Sequence, residues 1–307
     1  MDVGLFVVQF LNGLQLGILL FLLASGLTLT FGIMDFVNLA HGSFYMVGAF
    51  ICASLTLATG SFIWGVVLAI PLITAVGFVT EWLVIRHLYR RDHLDHVLAT
   101  FGLILVFDTS VQLIWGPAGI ALPLPAWLNG QVTFPGGIVF PAFRLLIIAT
   151  GLIIAAGLYI LVNHTRLGML IRAGASNRTM VGALGVDIKT LFSAVFGLGA
   201  ALAGIAGMLI SPITEASIGM GNEIIITAFV VIIIGGIGSM KGAFLAALLV
   251  GLIDTLGRAF LDDLFKFVMT TNAAETAAPA VSAMLIYIMM AAILAVRPQG
   301  LFPPKVR

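Results

Sequence analysis

Seven apolar segments, each about 20 residues long and so long enough for a membrane helix, recur along the chain. They are Phe6–Phe31, Phe62–Ile85, Val97–Ile114, Phe143–Val162, Leu191–Ile210, Ala243–Leu261 and Ala277–Val296. Only helices and closed barrels satisfy their backbone groups inside ~30 Å of hydrocarbon. Because 61% of the residues are apolar and only 9% are charged, the chain lies outside the averages of soluble domains. We therefore predict an all-α integral membrane protein, with residues 1–307 forming one domain.

Two further apolar segments, Val37–Leu57 and Ile224–Ile237, are interrupted or short. A helix over Ile224–Ile237 would rise only ~21 Å, so we expect broken or re-entrant helices and about 8 to 10 membrane segments in all. The glycines expected at the helix breaks are Gly32, Gly235, Gly236, Gly238 and Gly242. The later four resemble a nucleotide-binding loop, but Lys241 occupies the third glycine position and no Ser or Thr follows it. A break where two backbones approach is the better interpretation.

The distribution of Lys and Arg predicts the orientation in the membrane. With nine membrane segments, eleven of the fourteen cations fall on one side: Arg86, Arg90, Arg91, Arg166, Arg172, Arg178, Lys189, Lys241, Arg297, Lys305 and Arg307. The other side holds Arg144, Arg258 and Lys266. The positive-inside rule then places the N-terminus outside and the C-terminus in the cytoplasm. The first segment lacks a basic region and a cleavage site, so we expect a retained anchor.

A polar, basic segment at residues 163–190 separates two of the long apolar segments. Its central part, Thr165–Val186, is too hydrophilic to cross a bilayer, yet its apolar residues recur at helical spacing. They are Leu167, Leu170, Ile171, Met180, Val181 and Leu184, and the nearby cations are Arg166, Arg172, Arg178 and Lys189. This pattern predicts a short helix that docks another protein. The alternative is that the arginines only set the topology.

Three polar residues, Asp35, Asn38 and His41, stand at three-residue spacing within apolar surroundings. On a helix they would share one face. Polar groups at membrane depth are costly unless they meet one another or water, so we expect this face, with Gly42, to line a translocation path beside a discontinuous helix. In the alternative, Asp35 caps the helix and His41 bonds to a neighbouring carbonyl group.

Other ionisable residues allow different interpretations. Asp108 and Asp254 are isolated carboxylates in apolar segments, without an obvious local partner, and would suit a proton-coupled secondary transporter. The His93 and His96 pair lies near two aspartates, but the adjacent arginines favour a solvated loop over a metal site. The lone Cys52 reads as a packed thiol.

Two function classes are disfavoured. We find no Ser/His/Asp set, zinc motif or phosphate loop, which argues against a membrane enzyme. The net charge of +1 gives no reason to expect a nucleic-acid partner.

Three motifs resemble those of one transport family. The run Thr165–Ala173, followed by Asn177, Ala183 and Gly185-Val186, looks like the cytoplasmic coupling segment of permeases in the branched-chain amino-acid family of ABC importers. The stretches 27–34 and 38–42 are similar to the opening signature of that family. Residues 235–239 with Gly242-Ala243 resemble its late glycine motif. These matches extend over nearly the whole chain and are more specific together than singly.

The resemblance implies a fold similar to that of type II importers in the bacterial inner membrane. It also implies four kinds of partner: a second, related permease, two cytoplasmic ATPases that bind ATP and Mg, a periplasmic solute-binding protein, and membrane lipid. This chain itself would bind no cofactor and catalyse no reaction. The residues implied in ATPase coupling are Arg166, Arg172, Asn177, Arg178, Met180, Val181, Leu184 and Gly185. Related permeases carry branched-chain or other amino acids, urea or short amides, or aromatic acids, and the sequence does not distinguish these solutes.

Overall fold

The computed structural model describes residues 3–302 and is almost entirely helical in that range. The helices are α1 (Val3–Met34), α2 (His41–Thr59), α3 (Phe62–Leu83), α4 (His93–Trp115), α5 (Ala142–His164), α6 (Arg166–Ala183), α7 (Ile188–Thr214), α8 (Met220–Gly235), α9 (Met240–Phe265) and α10 (Thr271–Val296). A 3-10 turn at Ile85–His87 follows α3, and strands β1 (Gln131–Phe134) and β2 (Ile138–Pro141) form an antiparallel hairpin before α5.

Eight of these helices are long and apolar enough to cross a membrane, namely all except α6 and α8. The prediction of an all-α polytopic membrane protein is confirmed. The segment Val37–Leu57 was expected to be interrupted or short. Its residues 37–40 do lie outside the helix, but the helix that follows, α2, runs unbroken for 19 residues. The 16 residues of α8 are indeed short for a full crossing. Lys305 and Arg307, which we counted among the cytoplasmic cations, lie outside the described residues.

Helix α1 runs through the centre of the bundle. Every residue from Gly17 to Thr30 is buried, and α1 packs against α9 on one side and α7 on another. Glycines allow this close approach: a Cβ atom added at Gly17 would lie only 2.8 Å from the Cα atom of Leu248 in α9. Small residues are the usual means of helix association in lipid, where no hydrophobic effect drives helices together.

Helices α2 and α7 complete the core around α1. A Cβ atom at Gly48 would lie 2.5 Å from the Cα atom of Gly204, and one at Gly207 would overlap the carbonyl oxygen of Tyr45. Helix α3 covers the outer side of this pair, where Ile73 is fully buried beside Gly204. The α1–α2–α7 core therefore depends on backbone contacts that larger side chains would prevent.

Helices α4 and α10 lie at the edge of the bundle. In the most apolar stretch of α4, 17% of the residues are buried, and in that of α10 11% are buried. Helix α4 contacts its own chain along a narrow seam that contains Thr100, Ile104 and Val111. A ring contact between Phe107 and Phe44 of α2, with centroids 5.5 Å apart, lies beside this seam.

Candidate coupling and translocation site

The chain between α1 and α2 forms the first helix break, at residues 35–40. Asp35 adopts a left-handed backbone conformation with φ of 52°, which is uncommon for a residue other than glycine. Its exposed carboxylate lies 3.9 Å from the His93 imidazole of α4. Helix α2 begins only at His41, and its N-cap is Ala40, which makes no side-chain cap bond. The expectation that Asp35, Asn38 and His41 share a helix face was therefore wrong, because the backbone is not helical before His41.

Two of the polar residues at this break are buried in the protein. Asn38 is 0% exposed, and neither polar atom of its side chain has a hydrogen-bond partner among the described residues. The His41 Nε2 atom lies 3.2 Å from the carbonyl oxygen of Leu23 in α1. Gly42 packs directly on the backbone of Gly221 in α8. His41 and Gly42 thus lie where α1, α2 and α8 meet, and Asn38 is buried in the break itself. Of the four residues, only Asp35 is exposed.

The second helix break lies between α8 and α9. Gly236 and Gly238 have φ values of 99° and 81°, conformations that favour glycine. The Ser239 hydroxyl caps α9 by accepting a hydrogen bond of 3.1 Å from the Gly242 amide. Gly235 packs on the backbone of Gly242, so the two helices nearly touch at the break.

The two helix breaks also approach each other. A Cβ atom at Gly32, near the end of α1, would lie 3.0 Å from the Cα atom of Gly238. These glycines are far apart in the sequence, and no local pattern pointed to their contact.

Helix α6 fills most of the predicted coupling segment and consists of two halves. The Thr165 hydroxyl caps the first half by accepting a hydrogen bond from the Gly168 amide at 3.1 Å. At Asn177 the backbone leaves the helical region, with φ of −156° and ψ of 91°. The Asn177 Oδ1 atom then accepts from the Met180 amide at 2.9 Å and so caps the second half. Asn177 therefore determines where the helix bends.

A glycine ends the second half of α6. Gly185 has φ of 88°, and its amide bonds to the Gly182 carbonyl, while the Val186 amide bonds to the Val181 carbonyl. This pair of bonds is a Schellman motif, in which a left-handed residue closes the helix. Gly185 accordingly shapes the end of the coupling segment, because few other residues adopt this conformation without strain.

The apolar residues of α6 divide between two surfaces. Met180 is 58% exposed and Leu184, which follows the helix, is 77% exposed. Val181 was expected to face a partner with them, but it is 7% exposed and packs within its own chain. The arginines Arg166, Arg172 and Arg178 are exposed, and Arg172 donates a hydrogen bond to the Val162 carbonyl at the end of α5.

A cavity of about 1300 Å³ joins the two helix breaks to α6. Its lining includes Gly32 and Asp35 from the first break, Gly238 from the second, and Arg172, Asn177 and Arg178 from α6. Motifs from three separate parts of the chain thus surround one space.

Sequence reasoning missed two residues that also line this cavity, Tyr159 of α5 and Lys241 of α9. The Lys241 Nζ atom lies 5.9 Å from the centre of the Tyr159 ring, within the range of a cation–π contact. The sequence analysis used Lys241 as a mismatch to a phosphate loop and as one of the cations that predict the orientation. Nothing in the sequence linked Tyr159 to it.

A second missed feature is a buried carboxylate near the C-terminal end of α3. Glu81 is 1% exposed and accepts hydrogen bonds from Arg86 at 3.0 Å, Tyr89 at 2.7 Å and Ser193 at 2.7 Å. Two effects raise the pKa of the Tyr89 phenol: its burial, which is the larger, and its hydrogen bond to Glu81. Because Ser193 belongs to α7, this cluster ties the α3–α4 connection to the helix that follows the coupling segment.

The two isolated carboxylates do have partners, contrary to expectation. The side-chain amide of Asn222 in α8 donates a hydrogen bond of 2.9 Å to Asp108. The Arg258 guanidinium donates hydrogen bonds to both carboxylate oxygens of Asp254, at 2.9 Å to Oδ1 and 3.0 Å to Oδ2. The Arg258 pairing is visible in the sequence as a spacing of four residues on one helix. The Asn222 contact is not, because the two residues are 114 positions apart.

No group of three or more potential metal ligands occurs among residues 3–302. His93 and His96 form an edge contact with ring centres 5.6 Å apart. The His96 Nε2 atom lies 2.9 Å from the Leu88 carbonyl oxygen, so this nitrogen has a backbone partner.

Comparison with known proteins identifies the family. Residues 9–294 match the family described as branched-chain amino acid transport system / permease component. The high-affinity branched-chain amino acid transport system permease protein BraD of Pseudomonas aeruginosa is 30% identical over 275 residues, which cover 85% of this chain and 89% of BraD. LivH of Escherichia coli, which has the same description, is 29% identical over 285 residues, or 86% and 90% of the two chains.

A second kind of permease is also similar. LivM of Escherichia coli is 25% identical over 307 residues, which cover 92% of this chain and 67% of LivM. No solved structure matches the chain. The match over nearly the whole sequence confirms the resemblance found from the three motifs: this multi-pass membrane protein belongs to the permease family of branched-chain amino acid transport systems.

Proposed function

We propose that the chain is a membrane-spanning permease subunit of an ATP-binding-cassette importer and that it carries branched-chain amino acids. The observation that carries this proposal is the shared cavity, because α6 and both helix breaks line it. A displacement of α6 would reach both interrupted helices without an intermediate element. The names of BraD and LivH support the choice of solute.

The proposed complex contains several other subunits. LivH and LivM are both similar to this chain, which supports pairing with a second, homologous permease. Two cytoplasmic ATPases would bind ATP and Mg and perform hydrolysis, so this chain needs neither a cofactor nor a catalytic site. A periplasmic binding protein would deliver the solute. The complex would lie in the bacterial inner membrane, with the permease N-terminus outside and its C-terminus in the cytoplasm.

Coupling would be mechanical. Met180 and Leu184 form an exposed apolar surface suited to a groove on the ATPase. Arg166, Arg172 and Arg178 surround it with positive charge that can pair with acidic groups. Buried Val181 fixes the same half of α6 to its own chain, so a push on the exposed surface is transmitted inward.

The translocation path would pass the first helix break. Asp35 is exposed to the shared cavity, while His41 and Gly42 hold the break against α1 and α8. Asn38 is buried in the same break. High affinity belongs to the binding protein, since a deep binding site within the path would slow release.

The coupling role is tested by replacing both Met180 and Leu184 with Asp in the complete importer. We expect normal insertion and assembly but loss of ATP-driven uptake, because two carboxylates would replace the apolar docking surface. The matched control is Phe267→Asp, which changes an 87% exposed apolar residue in the α9–α10 connection. Uptake by the double variant at the wild-type rate would contradict the docking role.

The transport class is tested in vesicles with the wild-type complex. Uptake of labelled leucine should require ATP and the binding protein and should persist when a protonophore collapses the proton gradient. Uptake that the protonophore abolishes in ATP-replete vesicles would instead indicate a proton-coupled transporter. Preference for urea or an aromatic acid over leucine would overturn the proposed solute.

A further inference from the structure

One side of α4 carries a row of residues along most of the helix. At 100° per residue, His93, Val97, Phe101, Asp108 and Gln112 fall within roughly 100° of one another. We call this row the α4 stripe. It lies beside the seam that packs on the bundle, and its members are exposed or half-buried. From His93 to Gln112 the stripe rises ~28 Å, close to the thickness of the hydrocarbon layer.

Both ends of the stripe are polar, and its middle is apolar. His93 meets Asp35 at the first helix break. Near the other end, Asp108 accepts a hydrogen bond from Asn222, and Gln112 is exposed. Val97 and Phe101 lie between them. A surface of this kind suits a solute that has a charged head and an apolar side chain.

Asp108 has no cationic partner among the residues that the structure describes. No Lys, Arg or His nitrogen among residues 3–302 lies within 4.0 Å of its carboxylate, and its partner Asn222 is a neutral amide. Asp254, the other carboxylate in a membrane helix that we singled out, is paired with Arg258. Asp108 lies about seven residues, or ~10 Å, inside the Trp115 end of α4. A charge at such depth faces a water-filled space or the protein interior, because exposure to lipid is costly.

We propose that the α4 stripe is a wall of the translocation path and that Asp108, held by Asn222, receives the ammonium group of an amino-acid solute. This inference rests on the proposed transport function and adds a contact for the solute to it. The carboxylate and the ammonium group attract each other at the outer end of the path. The apolar side chain then passes Val97 and Phe101 toward the first helix break.

The wall is tested by the reactivity of single cysteines in a Cys52→Ala background, since Cys52 is the only cysteine in the chain. Gln112→Cys and Phe101→Cys report on the stripe. Val106→Cys and Leu113→Cys are the controls, since these residues are 58% and 81% exposed but lie on the opposite flank of α4. A membrane-impermeant methanethiosulfonate is added from the outer side to the assembled complex in proteoliposomes.

We expect the two stripe cysteines to react about tenfold faster or more than the controls. The thiolate attacks the reagent and displaces methanesulfinate, and the thiolate forms readily only where water reaches the side chain. Equal rates at all four positions, or faster reaction at Val106 and Leu113, would overturn the inference. The labelling pattern does not depend on transport, so it tests the wall even if the solute or energy source differs from the proposed one.

The role of Asp108 is tested with Asp108→Asn, which keeps the size of the side chain and removes its charge. We expect leucine uptake to fall about tenfold or more, while assembly and the melting temperature of the complex stay unchanged. Uptake by this variant at the wild-type rate would overturn the proposed contact with the ammonium group and leave Asp108 only its contact with Asn222. If the wild-type complex shows no ATP-dependent uptake of leucine, the proposed function fails instead.

Discussion

Helices α1 and α4 are similarly apolar, but their surroundings differ completely. In the most apolar stretch of α1, 83% of the residues are buried by the protein, compared with 17% in α4. Helix α1 meets its neighbours at glycines such as Gly13, Gly17 and Gly26, whereas the single glycine of α4, Gly102, has no described atom within 4 Å of its added Cβ. In a membrane, apolar character brings a helix into lipid, and small residues decide whether it joins the core.

The largest expected effect comes from a methyl group in the core. Gly207→Ala places a Cβ atom onto the Tyr45 carbonyl, so α2 and α7 must separate. We expect a loss of about 3 kcal/mol or more in stability, at the upper end of overpacking effects, seen as a lower melting temperature or poor accumulation in membranes.

Gly102→Ala is the matched control in α4. The methyl group has open space there, and alanine favours a helix more than glycine does, so stability should stay equal or rise by up to about 1 kcal/mol. If Gly207→Ala and Gly102→Ala lowered the melting temperature equally, the difference in packing between the core helices and α4 would be wrong.

The second effect concerns the polar tie between α3 and α7. Glu81→Gln keeps the shape of the side chain but leaves Arg86 without its buried anionic partner. We expect a loss of about 2 kcal/mol, below the value for a fully buried ion pair because Arg86 is 32% exposed. Thermal unfolding of the purified subunit measures it. Exposed Asp263→Asn serves as the control and should change stability by less than about 0.5 kcal/mol.

Side-chain caps begin both halves of the coupling helix α6, so variants at these caps should act locally. Asn177→Ala removes the cap on the Met180 amide and should destabilise the second half of α6 by about 1 kcal/mol. We expect reduced stimulation of ATP hydrolysis by the binding protein, with little change in melting temperature. Asn177→Asp retains an acceptor and should restore coupling. Equal loss in both variants would argue against the capping role.

The smallest effect is expected at the edge. Leu113 is 81% exposed, so Leu113→Ala removes little packing from the isolated subunit and should change its stability by less than about 0.5 kcal/mol. The melting temperature in detergent measures this change. A loss above about 1 kcal/mol would mean that α4 packs on its own chain more closely than the structure shows.

Features that depend on neighbouring residues were predictable from the chain alone. The long apolar segments, the shortness of α8 and the helical pattern around Met180 and Leu184 follow from hydropathy and spacing, which act within a few turns. The Asp254–Arg258 pair belongs to this class as well, although its four-residue spacing was overlooked. The break at Gly236 and Gly238 also coincides with a local glycine cluster.

Features that depend on which helices become neighbours required the folded protein. The burial of Asn38 and His41, the approach of Gly32 to Gly238, and the bond between Asp108 and Asn222 join segments far apart in the chain. Hydropathy carries little information about such pairs, because most faces of a membrane helix are apolar whether they meet lipid or another helix. Close packing and hydrogen bonding between particular helices select them, and these interactions exist only once the bundle has formed.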